Sequence, residues 1–182
     1  MIPIAQPWLT DDEACAARAA VLSGWVSQGP QVAAFERAFA DKVGAAHACA
    51  VSNCTTALHL ALVGLGIGPG DEVVTASHSF IATANVIRYV GATPVFADIE
   101  AEGYNLDPER VEAAITPRTR AILTVHQMGM PCDLAALARL ADRAGLALIE
   151  DAACAAGSAI RIGGVWEPVG RPRGAVACFS FH

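Results

Sequence analysis

Leu146-Ala-Leu-Ile-Glu-Asp-Ala-Ala-Cys154 is an apolar run that passes directly into an acidic pair and then into small residues. The run from Leu146 to Ile149 predicts a buried strand, and open α/β sheets hold their ligands at the carboxyl ends of such strands. A carboxylate at Asp151 can pair there with a cationic ring nitrogen, which keeps that nitrogen protonated and the ring electron-withdrawing. The alternative is that Asp151 caps the segment that follows it. Glu150 is expected to point to the opposite face.

The composition is typical of a well-buried α/β domain. The chain has 182 residues, 54% hydrophobic and 16% charged, and this length suffices for one domain with a full core. The net charge of -6 disfavours nonspecific binding to nucleic acid. The sequence has no run of about 18 uninterrupted apolar residues, so no membrane span is expected.

The cysteine and histidine residues do not follow a metal-binding or disulfide pattern. No two cysteines are spaced as Cys-x-x-Cys, and the five histidines are scattered. The cysteines lie among apolar or small residues, at positions 15, 49, 54, 132, 154 and 178. We therefore expect buried, reduced thiols in a cytoplasmic protein and no metal site.

Helix-like and strand-like segments alternate along the chain. This order predicts an α/β fold of three layers, α/β/α, in which a mostly parallel sheet is covered by helices on both faces. The helix over 57–65 is so apolar that it is expected to be nearly buried. Helices are predicted over 11–22, 31–43, 57–65, 80–90 and 133–144 and from Asp107-Pro108, strands over 48–51, 72–76, 94–97, 120–125, 146–149 and 175–180, and an irregular excursion or hairpin over 158–168.

The last strand-like segment, 175–180, is not followed by a helix that would cover it. A domain seldom ends in the middle of a sheet, because the exposed strand would leave apolar surface and backbone groups uncovered. We therefore expect these 182 residues to be part of a longer polypeptide.

A turn rich in hydroxyl groups, Ser52-Asn-Cys-Thr-Thr56, lies between a strand-like segment and an apolar helix. Free N–H groups at a helix start bind anions, and hydroxyl groups add further donors, so this turn is a candidate phosphate site. The alternative is simple capping of the helix by Thr55 or Thr56.

Polar and aromatic residues also follow three other strands. The segment Ser77-His-Ser-Phe80 places Phe80 where its ring can stack on a flat ligand, or alternatively enter the core at a helix start. The segment His126-Gln-Met-Gly-Met-Pro-Cys-Asp133 is interpreted mainly as a structural turn lining the site, with Asp133 as the cap of the next helix. Ser180, near the end of the last strand, is a candidate phosphate contact.

Taken together, these segments resemble the fold-type I, pyridoxal-phosphate-dependent sugar aminotransferases of the DegT/StrS kind. The resemblance covers essentially the whole chain and is specific for the family, though not for a substrate. The matching segments are Trp25-Val-Ser-Gln-Gly-Pro-Gln-Val-Ala-Ala-Phe-Glu36, Ser52-Asn-Cys-Thr-Thr-Ala-Leu-His-Leu-Ala-Leu62, Gly68-Pro-Gly-Asp-Glu-Val-Val74, Ser79-Phe-Ile-Ala-Thr-Ala-Asn85, Gly91-Ala-Thr-Pro-Val95, Ala114-Ile-Thr-Pro-Arg-Thr-Arg-Ala121, Val125-His-Gln-Met-Gly-Met-Pro-Cys-Asp133, Ile149-Glu-Asp-Ala-Ala153 and Phe179-Ser-Phe-His182.

The resemblance implies a fold-type I large domain with pyridoxal 5'-phosphate as its cofactor. It implies that Cys54 and Thr55 hold the cofactor phosphate, partly through backbone N–H groups. It further implies that Phe80 stacks on the pyridine ring and that Asp151 pairs with the ring nitrogen. Ser180 would add a contact to the phosphate.

Two positions depart from the family pattern or lie beyond the chain. The position of Cys154 usually holds His or Gln near the phenolic oxygen of the ring, and a cysteine is a poorer hydrogen-bond donor there. In the family, a Lys three residues beyond the His of Ser-Phe-His bonds to the cofactor, and here that position falls after His182. No catalytic residue is therefore assigned within this chain, and the small C-terminal domain is expected to lie outside it.

The activity implied by the resemblance is transfer of an amino group, from a donor such as glutamate, to a nucleotide-linked keto sugar. It implies a homodimer with shared active sites at the subunit interface. One alternative is a sugar dehydratase of the same fold, which carries a His in place of the Lys. The other is a non-catalytic protein, either truncated or regulatory.

Overall fold

A computed structural model describes residues 6–181 of the chain. This range contains six α-helices and seven strands, and helices and strands alternate over residues 54–152. The helices are α1 (Asp11–Leu22), α2 (Pro30–Val43), α3 (Cys54–Gly64), α4 (Ile81–Tyr89), α5 (Pro108–Ala114) and α6 (Leu134–Ala144). The strands are β1 (Glu72–Ala76), β2 (Thr93–Ala97), β3 (Thr119–Val125), β4 (Ala147–Ala152), β5 (Ala159–Ile162), β6 (Val165–Pro168) and β7 (Val176–Phe179).

Five of the strands form one parallel sheet in the order β2-β1-β3-β4-β7. The other two, β5 and β6, pair as an antiparallel hairpin, which confirms the prediction for residues 158–168. The mostly parallel α/β fold is thus confirmed. Because β4 continues to Ala152, Glu150 and Asp151 lie within the last residues of the strand rather than after it.

The core is divided between the two faces of the sheet. Successive residues of a strand point to opposite faces, and neighbours such as Val73 and Val74 accordingly belong to different clusters. On one face the sheet packs against α3 and α4, and on the other against α5 and α6. The first cluster includes Leu58, Leu62, Val86, Ile87, Val73, Leu123 and Ile149, and the second includes Val111, Leu137, Leu140, Val74, Ile122 and Leu148.

Side-chain caps fix where the helices begin. Asn53 accepts a hydrogen bond from Thr56 N, so α3 starts at Cys54, three residues earlier than the sequence predicts. Asp133 accepts from Ala136 N at 2.9 Å, which confirms its predicted role as the cap of α6. The earlier start of α3 matters for function because it makes Cys54 the first residue of that helix.

The predicted strand over 48–51 is not formed in the structure. This segment has no neighbouring strand within residues 6–181, and its backbone is instead held by side chains. Glu36 accepts from Ala50 N at 2.8 Å, and Gln28 donates to Ala50 O at 3.3 Å. The short run of small and apolar residues that predicts a strand is therefore present, but a pairing partner is not found within residues 6–181.

The prediction that α3 is nearly buried is also wrong for one face of the helix. Leu58 and Leu62 are buried, whereas Leu60 and Val63 are about half exposed. Leu60 faces a groove of about 900 Å³ between α2, residues 45–54 and β7. Four phenylalanines, Phe35, Phe39, Phe179 and Phe181, pack together against this groove.

The thiols divide evenly between the core and the surface. Those of Cys54, Cys132 and Cys178 are buried, whereas the other three cysteines are exposed, so the predicted burial is wrong for half of them. Within the described range, none of the helices has both the length and the apolar character that crossing a membrane requires.

Two isoleucines of α4 allow a matched test of this packing. Ile87 is fully buried and Ile81 is largely exposed. Ile87→Ala is expected to lower the free energy of unfolding by about 2–5 kcal/mol, because it leaves a cavity in the core. Ile81→Ala should change it by no more than about 0.5 kcal/mol. Urea unfolding of both variants checks the prediction, and equal losses would contradict the assigned packing.

Candidate active site

Three elements meet at the carboxyl group of Asp151. Thr83, in the first turn of α4, donates from Oγ1 to Asp151 Oδ2 at 2.8 Å. Cys54, the first residue of α3, places Sγ 3.9 Å from Asp151 Oδ1. The backbone N–H of Ala153 donates to the same Oδ1 at 3.2 Å, so the predicted local cap is present as well. The starts of two helices thus converge on the carboxyl end of β4.

Asp151 is buried, with 5% of its surface exposed, and its polar contacts are to neutral donors. Burial raises the pKa of Asp151, while the hydrogen bonds from Thr83 and Ala153 act in the opposite direction. Among the ion pairs of the described residues, none includes this carboxylate. A cationic N–H group beside it would therefore gain a charge-assisted hydrogen bond.

A hydroxyl pair extends the network around Asp151. Ser79 Oγ lies 2.6 Å from Thr83 Oγ1, and Thr83 uses its single proton toward Asp151. Ser79 is therefore the donor to Thr83, and the two hydroxyls orient the carboxylate in series. Sequence reasoning did not assign a role to either residue. The i, i+4 spacing of Ser79 and Thr83 across a helix start was the available signal.

The start of α3 offers backbone donors. Asn53 Oδ1 accepts Thr56 N and Asn53 O accepts Ala57 N, but the amides of Cys54 and Thr55 have no acceptor within residues 6–181. The alternative that Thr55 or Thr56 caps the helix is wrong, because Asn53 does so. The hydroxyls of Ser52 and Thr56 lie 3.1 Å apart beside these amides. This donor set suits a phosphate group.

The thiol of Cys54 is a neutral neighbour of Asp151. Burial, with a further contribution from the charge of Asp151, raises the pKa of Cys54 to about 12. A thiol with that pKa stays protonated at neutral pH, so it acts as a weak donor and not as a nucleophile.

Phe80 occupies the N-cap position of α4, and its side chain does not enter the core. Its ring is 74% exposed, so the alternative of a core phenylalanine is wrong. An exposed phenylalanine has a free aromatic face on which a flat ring can stack. Phe80 directly follows Ser79 in the chain, and Ser79 is connected to Asp151 by hydrogen bonds through Thr83.

The two remaining predicted residues follow β4 and β7. Ser180 is half-buried at the end of β7, which pairs in register with β4 through Asp151 and Cys178. Cys154 is exposed in the turn after β4. The carboxyl ends of parallel strands share one edge, so both residues lie at the same edge of the sheet as Asp151. His182 lies outside the described residues.

A second buried pair joins β4 to the loop after β3. His126 Nε2 lies 3.0 Å from Glu150 Oε2, and His126 Nδ1 accepts the N–H of Cys132 at 3.2 Å. Burial opposes protonation of the ring, but Cys132 and Glu150 outweigh it and raise the pKa of His126 to about 9, which would favour the charged form; the hydrogen-bond geometry argues against that form. We assign the neutral tautomer, because a protonated Nδ1 cannot accept an N–H group. Glu150 is thus held as a structural partner of the loop.

The sequence profile of the DegT/DnrJ/EryC1/StrS aminotransferase family matches residues 7–182. The chain is 49% identical over 152 residues to the spore coat polysaccharide biosynthesis protein SpsC of Bacillus subtilis (strain 168). That match covers 84% of this chain but 39% of the relative.

Two solved structures extend the comparison. The putative sugar aminotransferase Spr1654 from Streptococcus pneumoniae, in its PMP form, is 30% identical with a TM-score of 0.93, covering 100% of this chain and 48% of that one. The synthase of 3-amino-5-hydroxybenzoic acid is 42% identical with a TM-score of 0.89, covering 98% and 46% respectively. The chain thus spans about half, or less, of the length of these relatives.

The raised pKa of Asp151 predicts how the stability of the cofactor-free protein depends on pH. The folded state holds this proton more tightly than the unfolded state, so stability is lost as pH rises from the ordinary value of 3.8 through the folded-state pKa. Asp151→Asn should therefore raise the free energy of unfolding at pH 7. The gain should shrink as the pH approaches about 4. Urea unfolding as a function of pH measures both effects, and a variant less stable than the wild type at pH 7 would contradict this reasoning.

Proposed function

The chain belongs to the DegT/DnrJ/EryC1/StrS aminotransferase family, and on that premise we propose that it forms the cofactor-binding domain of a pyridoxal-phosphate-dependent sugar aminotransferase. The amino group is taken from a donor such as glutamate and transferred to a keto sugar carried on a nucleotide. The observation that carries this proposal is the buried carboxylate of Asp151, which is contacted from the starts of two helices, one of which begins directly after the exposed Phe80.

The residues at this edge fit pyridoxal 5'-phosphate. A buried carboxylate with only neutral donors suits a protonated pyridine nitrogen, and the two unpaired amides of α3 suit a phosphate. When bound, this cofactor supplies an electron-withdrawing ring that accepts and releases amino groups. Spr1654, to which the chain is similar, has been solved in PLP and PMP forms, and this supports the same cofactor.

We assign each residue a task toward that group. Asp151 holds the proton on the ring nitrogen, and Thr83 keeps the carboxylate oriented toward it. Phe80 covers one face of the ring and excludes water from it. Cys54 and Thr55 hold the phosphate, partly through their backbone N–H groups.

Ser180 and Cys154 complete the assignment. The hydroxyl of Ser180 adds a donor to the phosphate from the end of β7. Cys154 takes the position near the phenolic oxygen of the ring, where its thiol is a weaker donor than His or Gln. We expect the electronic effect at that oxygen to be correspondingly small.

We further propose that residues 1–182 belong to an incomplete large domain and that the cofactor-bonding residue and a small domain come from polypeptide after position 182. The length of the relatives supports this proposal. The open groove beside β7 supports it too, because α3 and the phenylalanine cluster leave apolar surface there. A homodimer with shared active sites and a cytoplasmic location belong to the same proposal.

The activity is tested by incubating the purified holoenzyme with glutamate and a nucleotide-linked keto sugar, and then measuring 2-oxoglutarate and the amino sugar. Formation of both products supports aminotransfer. Loss of water from the sugar without consumption of glutamate would instead identify a dehydratase. Absence of both reactions with a range of keto sugars would overturn the proposal.

Asp151→Asn is expected to lower turnover by about 10²- to 10³-fold, which is the scale of losing one preorganised electrostatic group. The physical reason is that an amide does not hold the ring nitrogen in its protonated state. The measurement is kcat at saturating substrate, with the cofactor content determined by absorbance. Near-normal turnover in a cofactor-loaded variant would remove Asp151 from the mechanism.

Phe80→Ala is expected to weaken cofactor retention by about 1 kcal/mol, roughly a fivefold increase in Kd, through loss of aromatic stacking. Phe96→Ala is the matched control, because Phe96 is also exposed but lies in the edge strand β2. Kd is measured by titrating the apoprotein with cofactor. Equal effects of the two variants would show that Phe80 does not contact the ring.

A further inference from the structure

A second group of polar and aromatic side chains lies beside the candidate active site. Gln127 Nε2 is 3.1 Å from His78 Nδ1, and the rings of His78 and Tyr104 lie 6.1 Å apart at an angle of 58°. His78 follows β1, Tyr104 lies between β2 and α5, and Gln127 follows β3. Three separate loops at the carboxyl edge of the sheet thus place these side chains together.

The loops are held in position by one buried amide. Asn105 is 2% exposed, and its Oδ1 accepts Gln127 N at 2.9 Å while its Nδ2 donates to Met130 O at 3.1 Å. A buried amide with both ends satisfied fixes the loop of Tyr104 against the loop of Gln127. The geometry of the cluster is therefore built into the fold.

Backbone strain is concentrated at the same two loops. Tyr104 has φ of 57° and Met128 has φ of 52°, and they are the only residues other than glycine with positive φ in the described chain. Both side chains are largely exposed, so neither gains core packing in return. Such conformations cost about 1–3 kcal/mol each and cluster at ligand sites, where they aim side chains at a ligand.

The chemistry of the cluster is polar and carries no cationic partner. Within residues 6–181, no Arg or Lys forms an ion pair or hydrogen bond with His78, Tyr104 or Gln127. The charges on the loop that leads to Tyr104 are the carboxylates of Asp98, Glu100 and Glu102, and Asp98 accepts from Ser77 Oγ at 3.5 Å. A diphosphate is disfavoured there, whereas an imidazole, a carboxamide and an aromatic face suit a neutral ring bearing hydroxyl groups.

The cluster is continuous with the cofactor-binding residues. His78 is the neighbour of Ser79, whose hydroxyl reaches Asp151 through Thr83. The segment 77–80 therefore contributes Phe80 to one group of side chains and His78 to the other. One residue, Ser79, separates the two positions along the chain.

We propose that His78, Tyr104 and Gln127 form a subsite that binds the hexose part of the substrate through its hydroxyl groups and its apolar ring face. This inference rests on the proposed function, which supplies the nucleotide-linked sugar. It assigns recognition of the sugar to these three loops and leaves recognition of the diphosphate to other residues.

The test compares the binding of a sugar nucleotide with that of the same nucleotide without its sugar. UDP-glucose and dTDP-glucose, and then UDP and dTDP, are titrated into the holoenzyme by calorimetry. Gln127→Ala and Tyr104→Asn are the test variants, and asparagine is chosen because it tolerates positive φ. Tyr89→Ala is the matched control, since Tyr89 and His59 form another exposed ring pair with centroids 6.1 Å apart.

Each test variant is expected to raise Kd for a sugar nucleotide by about three- to tenfold, the scale of one lost hydrogen bond or ring contact. Kd for the free diphosphates should be unchanged, and Tyr89→Ala should alter neither. Retained cofactor absorbance and an unchanged Tm would show that the variants are folded.

The remaining outcomes are distinguishable. Equal weakening of sugar nucleotide and free diphosphate, or no weakening of either, overturns the subsite. A wild-type protein that binds the sugar nucleotides no more tightly than the free diphosphates also overturns it, while the proposed function stands. A wild-type protein that binds none of the four ligands and transfers no amino group overturns both proposals.

Discussion

The site depends on a carboxylate that is buried at the end of β4 without a cationic neighbour. Burial raises the pKa of Asp151, and the hydroxyl of Thr83 with the N–H of Ala153 only partly offsets the cost. In a protein selected for stability alone, an amide or an apolar residue would serve better here. A carboxylate that is retained at such a cost is expected where a ligand supplies the missing positive charge.

The parallel sheet explains how the neighbours of Asp151 reach it. The middle of each strand is apolar on both faces, so β1, β3 and β4 are anchored by two separate clusters. Polar side chains are then confined to the carboxyl edge, where the strands end and the helix starts face the same side. The residues that orient Asp151 come from α3 and α4, which pack against each other and against the same face of the sheet. The residues that orient Asp151 are consequently positioned by the same packing that forms the core.

Much of this arrangement could be predicted from the sequence because it follows from local patterns. Apolar runs mark the strands, and the polar residues after them mark the edge where Asp151, Phe80 and Ser52 to Thr56 lie. The role of Thr83 could not be read in this way. Its partner Asp151 is 68 residues away in the sequence. Thr83 lies between two alanines, and this local pattern indicates only a helix and no polar function. The bond between Asn105 and Gln127, 22 residues apart, was hidden for the same reason.

The two failed fold predictions share one physical cause. Residues 48–51 and the exposed face of α3 both border the groove beside β7, which is the open edge of the sheet. Their sequence patterns are those of a paired strand and a buried helix, yet residues 6–181 provide neither the pairing strand nor the cover. Sequence patterns report the burial that a segment has in the complete assembly. The mismatch at this groove is therefore the expected mark of a surface on which, in our proposal, the rest of the large domain packs.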